Sequence, residues 1–288
     1  MVEILEVSSD QARPKPIIYI GTPAFGCMLS IHYVASLLRL HALCTSKGIP
    51  LLVDMTGNES LISRCRSIMQ RRFLLSEATH LLWIDSDIGF DPNSVLRLLE
   101  FVERHDGNRI AGCVYAKKGY MWPRLERAMK DPDFRGQEDL AQIAMDFNIN
   151  IPDEGVAVDE HGYIPVLDLA TGMMMSSRKV CEAVAAAHPE LHCINDLQNA
   201  LPADSDNTFV ATYACMIDQK SRRFLSEDYS YSRRAQDLGF TVWADLCSPL
   251  SHTGNASYMG DIRGRLRARQ YDELCVETKI QPKKINNI

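Results

Sequence analysis

No C-x-x-C pair occurs anywhere in these 288 residues. The nine cysteines (Cys27, Cys44, Cys65, Cys113, Cys181, Cys193, Cys215, Cys247 and Cys275) are odd in number and scattered. Neither a zinc site nor a disulfide framework is indicated, and buried reduced thiols acting as small apolar side chains are the simpler reading. Positive charge is not in excess: 31 Lys and Arg stand against 37 Asp and Glu, a formal net charge of −6. That disfavours generic binding to a nucleic-acid backbone, while leaving room for a local basic groove. No apolar run reaches the length of a membrane span, and the first thirty residues carry Glu3, Glu6 and Asp10 where a signal peptide would carry positive charge. The expectation is a cytoplasmic chain. What is present is the composition of an ordinary globular protein, 46% hydrophobic and 24% charged. It is enough for a sizeable core in one large domain or two small ones.

Strand and helix patterns alternate along the chain. "PIIYIGTP" (16–23) is a short β-rich run stopped by Gly and Pro, "SIHYVASLLRLHALCTSKG" (30–48) has helical spacing and a Gly end, and "IPLLVDMTG" (49–57) is strand then turn. A helix over 59–78, a strand at "HLLWIDSD", a helix opened by Pro92 and Asn93, and a strand over 109–118 follow. This order predicts an α/β fold with a mainly parallel sheet covered by helices. Residues 125–165, acidic and weakly periodic with Pro132 and Pro152, read as a peripheral insertion or loop. Strand and helix return over 162–188, and 195–220 is again polar and irregular. The last elements are a helix at "EDYSYSRRAQDLG", a strand at "FTVWADL", then "SPLSHTG" and a tail from 261 whose Arg263, Arg265, Arg267 and Arg269 read as a solvated helix face.

The stretch "HLLWIDSDIGFDP" (80–92) concentrates the chemistry. Ligands of open α/β sheets bind beyond the carboxyl ends of the strands, and Asp85 and Asp87 fall at such an end. In an extended chain residues i and i+2 project to one side, so both carboxylates would face one object while Ser86 faces away. Two like charges that close need a cation or donor groups between them, and hard oxygen ligands suit Mg²⁺, Mn²⁺ or Ca²⁺. A D-x-D triplet also arises by chance as a solvated loop with an Asp helix cap; its place directly after "LLWI" favours the metal. Glu227 and Asp228 open a later helix, where acids also serve as ordinary caps. His252 supplies a neutral nitrogen donor that leans the site towards Mn²⁺ over Mg²⁺.

These residues, in this order, resemble the glycosyltransferases of the GT-A fold, which use a nucleotide sugar and a divalent metal. The resemblance covers roughly Ile17 to Gly254, through "IYIGTP", "SLISRCRSIMQRRFL", "LLWIDSDIGFDP", "IAGCVYAKK", "LATGMMMSSRKV", "SEDYSYSRRAQDLG" and "SHTG". It looks most like the small single-domain transferases of phages, large DNA viruses and bacteria, so a viral chain would work in the host cytoplasm. The helix reads "RCRS" where relatives often have Arg-Ala-Arg-Asn, and 125–165 has no counterpart.

The resemblance implies a GT-A domain over 15–260, with a nucleotide-sugar half (15–118) and an acceptor half (119–260), and a helical tail over 261–288. It implies Mn²⁺ or Mg²⁺ held by Asp87 and His252, with Asp85 on the ribose or reaching the metal through water. Thr22, Pro23 and Asp54 would hold the nucleobase and ribose, with Ser86 beside the D-x-D acids. Arg64 or Arg66, favouring Arg66, would approach the diphosphate or sugar; they lie two apart on a helix and do not share a face. Lys117 and Lys118 would reach phosphate or donor sugar, and Gly172 would let the backbone pass close to that sugar. Tyr120 and Trp122 are candidates for stacking on a ring. Asp228, rather than Glu227, is the implied base that deprotonates an acceptor hydroxyl in an inverting transfer. A retaining transferase shares the fold and metal site. A sugar-nucleotide nucleotidyltransferase usually opens with a basic Gly-rich loop, and "IGTPAFGCMLS" has no lysine or arginine; a non-catalytic module is the third reading. UDP is the expected nucleotide. The acceptor hydroxyl can belong to a glycan, a protein or a modified DNA base, the last mildly disfavoured by the net acidity.

Overall fold

The computed structural model describes residues 15–131 and 140–267. Glu3, Glu6, Asp10 and Arg269 lie outside the described residues, and the tail expected over 261–288 is described only as far as the short helix Ile262–Arg267. Seven strands form the central sheet: β1 (Ile18–Ala24), β2 (Leu51–Gly57), β3 (His80–Ile84), β4 (Arg109–Cys113), β5 (Tyr163–Pro165), β6 (Met173–Ser177) and β7 (Thr241–Asp245). Their spatial order is β2-β1-β3-β6-β4-β7-β5. β2, β1 and β3 run parallel, as do β4 and β7, whereas β6 runs antiparallel between β3 and β4, and β5 antiparallel to β7. The sheet is thus mixed and mainly parallel.

Helices cover both faces, which is why β3 reads as a continuous apolar run with every residue buried. On one face Tyr19, Leu81, Trp83, Ile110 and Met174 pack with Met69 and Phe73 of α2 (Ile62–Leu75), Val180 and Val184 of α5 (Arg178–Ala187), and Tyr231 and Ala235 of α6 (Glu227–Asp237). On the other, Ile18, Ile20, Leu82, Ile84 and Met173 pack with Tyr33 and Leu40 of α1 (Ile31–Lys47) and Val95, Leu98 and Phe101 of α3 (Pro92–Arg104). Here α4 is Trp122–Met129. The Gly end of α1 and the Pro92 opening of α3 act as the sequence suggests, and Ser30 and Asp91 supply the caps. Ser30 accepts the Tyr33 N–H and Gly48 closes α1 at φ 67°, a left-handed turn that glycine takes without penalty. Asp91 accepts the Asn93 N–H ahead of Pro92 in the first turn of α3.

Of the segment 125–165, residues 132–139 with Pro132 lie outside the described residues, and the described part is not the peripheral insertion expected. Met145, Phe147, Ile149 and Ile151 are buried in the first core cluster, and β5 closes the edge of the main sheet. The segment contributes single buried residues from bends and from the two-residue strand Ile149–Asn150, paired with Asp168–Leu169. Such a contribution carries no helical or strand period for sequence reading to detect. All eight cysteines among the described residues are free thiols. One α/β domain results, with the carboxyl ends of β1, β2 and β3 opening on the same edge.

Candidate active site

β3 delivers its chain to that edge and then turns. The Asp85 N–H donates to the Gly172 carbonyl at 3.0 Å, and the Ile88 N–H closes back on the Asp85 carbonyl at 3.1 Å. Because 85–88 is a turn and not extended chain, the expectation that Asp85 and Asp87 share one side fails. Asp85 swings to Arg66, whose Nη2 lies 2.6 Å from Oδ1. Asp87 takes different partners, pairing with Lys118 and facing His252.

His252 is brought there by a small three-stranded sheet in which Leu250–Thr253 pairs with both Ile88–Gly89 and Ser257–Gly260. The Thr253 N–H donates to the Asp87 carbonyl at 2.8 Å, which fixes the two segments together. Nδ1 of His252 lies 2.8 Å from the Ala116 carbonyl. A carbonyl only accepts, so Nδ1 carries a proton, and Nε2 at the far side of the ring faces Asp87 Oδ2, 3.6 Å away. Burial pushes the Asp87 carboxyl up, but its bonds to His252 and Lys118 outweigh that and hold it below the usual carboxylate range. Asp87 is therefore ionised at neutral pH. Among the described residues no three His, Cys, Asp or Glu side chains converge on one point. The donor set is one oxygen and one imidazole, a pair that fits a hard divalent cation completing its shell from ligand and water.

A second carboxylate pair adjoins Arg66 at the start of α6. Arg66 is buried, spans Asp85 and, at 3.6 Å, Glu227, and lies 5.1 Å over the Trp83 ring. Its Nε and Nη1 have no hydrogen-bond partner among the described residues. Burial alone would lower the guanidinium's affinity for its proton, yet the two carboxylates raise it. Asp228 Oδ1 accepts from the Ser226 hydroxyl and, at 2.8 Å, from the Tyr229 N–H. Burial and the neighbouring Glu227 push Asp228 up to about 6. Its second oxygen makes no hydrogen bond among the described residues.

The other expected contacts are distributed less simply. Thr22 turns to the opposite face of the sheet, where its hydroxyl lies 2.6 Å from that of Tyr33; Pro23, next along β1, is only half-buried. Asp54 is clasped by Arg72 Nη1, 2.6 Å from both carboxylate oxygens, and accepts from the Tyr19 hydroxyl. Arg64 pairs with Glu59 at 3.0 Å and Asp196 at 3.7 Å, away from Asp85. Ser86 contributes its carbonyl to the Ser30 N–H. Lys117 pairs with Asp146 at 2.8 Å, so its neighbour Lys118 is the lysine at the D-x-D acids. At Gly172 a Cβ would come within 2.5 Å of the Tyr115 ring, so the bare backbone makes room for that ring. Tyr115 stands edge-on to His252 at 5.0 Å, its hydroxyl pushed up by burial and by Asp85. Sequence reading missed Tyr115 and Arg72; the only signals were an aromatic in "VYAKK" and the last of four arginines on α2. A cavity of about 600 Å³ lies beside Asp54, lined by Thr56, Asn58, Arg72, Leu197, Asn199 and Leu201 among others. Tyr120, Trp122 and Tyr258 stand together near the small sheet, with ring centroids 5.1 and 5.2 Å apart and Trp122 62% exposed.

No family model and no curated protein matches the chain. Among solved structures, the chain is similar to protein A197 from STIV at TM-score 0.39 and 13% identity, over 83% of this chain and 86% of that one. It is also similar to GalNAc-T7 with UDP, GalNAc and Mn²⁺ at TM-score 0.42 and 10% identity, over 91% of this chain and 49% of that one. Likenesses this distant carry no argument about activity, and the chemistry rests on the geometry of this chain.

That geometry gives three capabilities on one edge of the sheet. Asp87 and His252 present a place for positive charge, Asp228 is a carboxylate pushed up to about 6, and a cavity opens farther along the edge beside Arg72, which holds Asp54. No helix among the described residues is long and apolar enough to cross a membrane.

Proposed function

We propose that the protein is a metal-dependent glycosyltransferase that moves a sugar from a nucleoside diphosphate sugar to an acceptor hydroxyl. The observation that carries this reading is the meeting of an acid and an imidazole, Asp87 and His252, at 3.6 Å at the carboxyl edge of the sheet. A divalent cation held there, Mn²⁺ or Mg²⁺, supplies neutralisation of the charge that grows on the diphosphate leaving group. The chain's own residues do the rest. Arg66 keeps Asp85 and Glu227 in place, and Asp85 offers its second oxygen to the ribose. The cavity beside Arg72 and Asn58 takes the base and ribose, with UDP the favoured nucleotide. Asp228, ionised above about pH 6, takes the proton from the acceptor hydroxyl as that oxygen attacks the anomeric carbon. A base acting opposite the leaving group makes the transfer inverting.

The acceptor is a saccharide in this reading. Tyr120, Trp122 and Tyr258 offer rigid apolar faces on which a sugar ring stacks, and Tyr258 sits directly across from His252 in the small sheet. The test is a thermal-shift screen of nucleotide sugars with and without Mn²⁺, because a ligand of the folded state raises its melting point. The reading expects a shift that needs cation and donor together and slow release of free sugar. Consumption of nucleoside triphosphates instead of nucleotide sugars would replace transfer by nucleotidyl chemistry.

A further inference from the structure

Two adjacent lysines leave β4, and they have different fates. Lys117 turns out to Asp146. Lys118 returns over Gly254 and places its ammonium on Asp87 Oδ2, the same oxygen that faces His252 Nε2. The route depends on glycine. A Cβ at position 254 would meet Lys118 Cδ at 2.9 Å and Cε and Cγ at 3.5 Å, all of them atoms of the one side chain. Gly254 follows Thr253, whose N–H holds the Asp87 carbonyl. The chain thus fastens the bed for the lysine stem to the backbone of the acid that its head neutralises. No third carboxylate or imidazole joins Asp87 and His252 among the described residues, so one positive charge already balances this site.

We propose that Lys118 is a resident counter-cation, which a divalent ion must displace from Asp87 before the site is ready for its donor. The inference rests on the metal reading above. Exchange replaces one positive charge by two on Asp87 and leaves the ammonium unpaired beside them. The site then carries surplus positive charge that a diphosphate compensates. Mn²⁺ alone therefore binds weakly, and a nucleoside diphosphate strengthens its binding by neutralising the released lysine. Lys118 acts as a positioning residue that orders the two ligands.

The test is titration of Mn²⁺ followed by the electron paramagnetic resonance of the free ion, with and without UDP. In Lys118→Met, Mn²⁺ alone binds about two- to fivefold tighter than in the unaltered chain, the range set by losing a half-exposed ion pair. UDP also strengthens Mn²⁺ binding less in that variant. Gly254→Ala keeps the charge but dislodges the stem, and moves Mn²⁺ affinity in the same direction; Lys118→Arg restores weak binding. Equal or weaker Mn²⁺ binding by Lys118→Met, in a variant whose melting point is unchanged, overturns the proposal. If Asp87→Asn binds Mn²⁺ as well as the unaltered chain, the metal site itself is misassigned. If no form binds Mn²⁺ with or without UDP, both readings fall.

Discussion

Arg178 and Arg66 sit at opposite edges of the same sheet and are used in opposite ways. At the amino edge, Arg178 donates to the carbonyls of Phe73, Leu74, Ser76 and Ala78 at 2.7 to 3.1 Å and stacks on Phe73. It satisfies the open carbonyls where α2 ends, and every guanidinium nitrogen has an acceptor. At the carboxyl edge Arg66 is buried with two nitrogens that have no hydrogen bond among the described residues, and it bridges two carboxylates that would otherwise repel. Buried charge that is incompletely paired costs stability and persists where the arrangement serves chemistry. At the amino edge the arginine's hydrogen-bonding capacity is used up on a helix end; at the carboxyl edge part of it is left over.

The largest expected effect is at the open edge. Asp87→Asn keeps size but removes the negative charge facing His252, and transfer falls by roughly a hundredfold or more, as for loss of several kcal/mol of charge stabilisation. Kinetics at saturating donor check this, and a variant within tenfold of the unaltered chain would erase the distinction between the edges.

Next, the two arginines can be set directly against each other. Arg66→Met leaves Asp85 and Glu227 without their shared counter-charge and costs about 3–5 kcal/mol. Arg178→Met costs about 1–3 kcal/mol by stranding carbonyls. Denaturant unfolding measures both, and only Arg66→Met should also move the pH profile. Arg66 draws the Asp228 carboxyl down, so its loss pushes the titration above about 6.

Asp228 gives a smaller effect with a definite sign. Burial and Glu227 raise its folded value to about 6, above that of an unfolded aspartate. The folded state therefore binds the proton more tightly, and stability falls as pH rises from about 4 to about 6. Asp228→Asn removes that penalty and stabilises the protein at pH 7 by on the order of 2 kcal/mol, while abolishing the limb of activity that rises near pH 6. Equal stability of the two proteins at pH 7 would show that the carboxylate is not strained. The smallest effect belongs to Lys117→Ala: its pair with Asp146 is exposed, so stability changes by at most about 1 kcal/mol and donor affinity not at all.

The alternation of strands and helices was legible because buried strands and amphipathic helices leave distinct periods, and the capping residues Ser30, Gly48 and Asp91 sit where chemistry requires them. The antiparallel course of β6 left no mark, since "MMMSS" is buried on both faces whichever way it runs. The D-x-D, Glu227–Asp228 and His252 were visible as residue types. How they divide was not. A turn at 85–88 sends Asp85 to Arg66 and Asp87 to Lys118, and no local pattern encodes that choice. Tyr115 escaped notice because its role comes from Gly172 and His252, both distant in the chain.

Calorimetric titration of UDP into the protein, in Mn²⁺ and in chelator, tests the central claim most directly when repeated on Asp87→Asn and His252→Ala. The account predicts binding that needs Mn²⁺ and disappears in both variants, with their melting points retained. Undiminished, metal-independent binding of UDP by Asp87→Asn would contradict it.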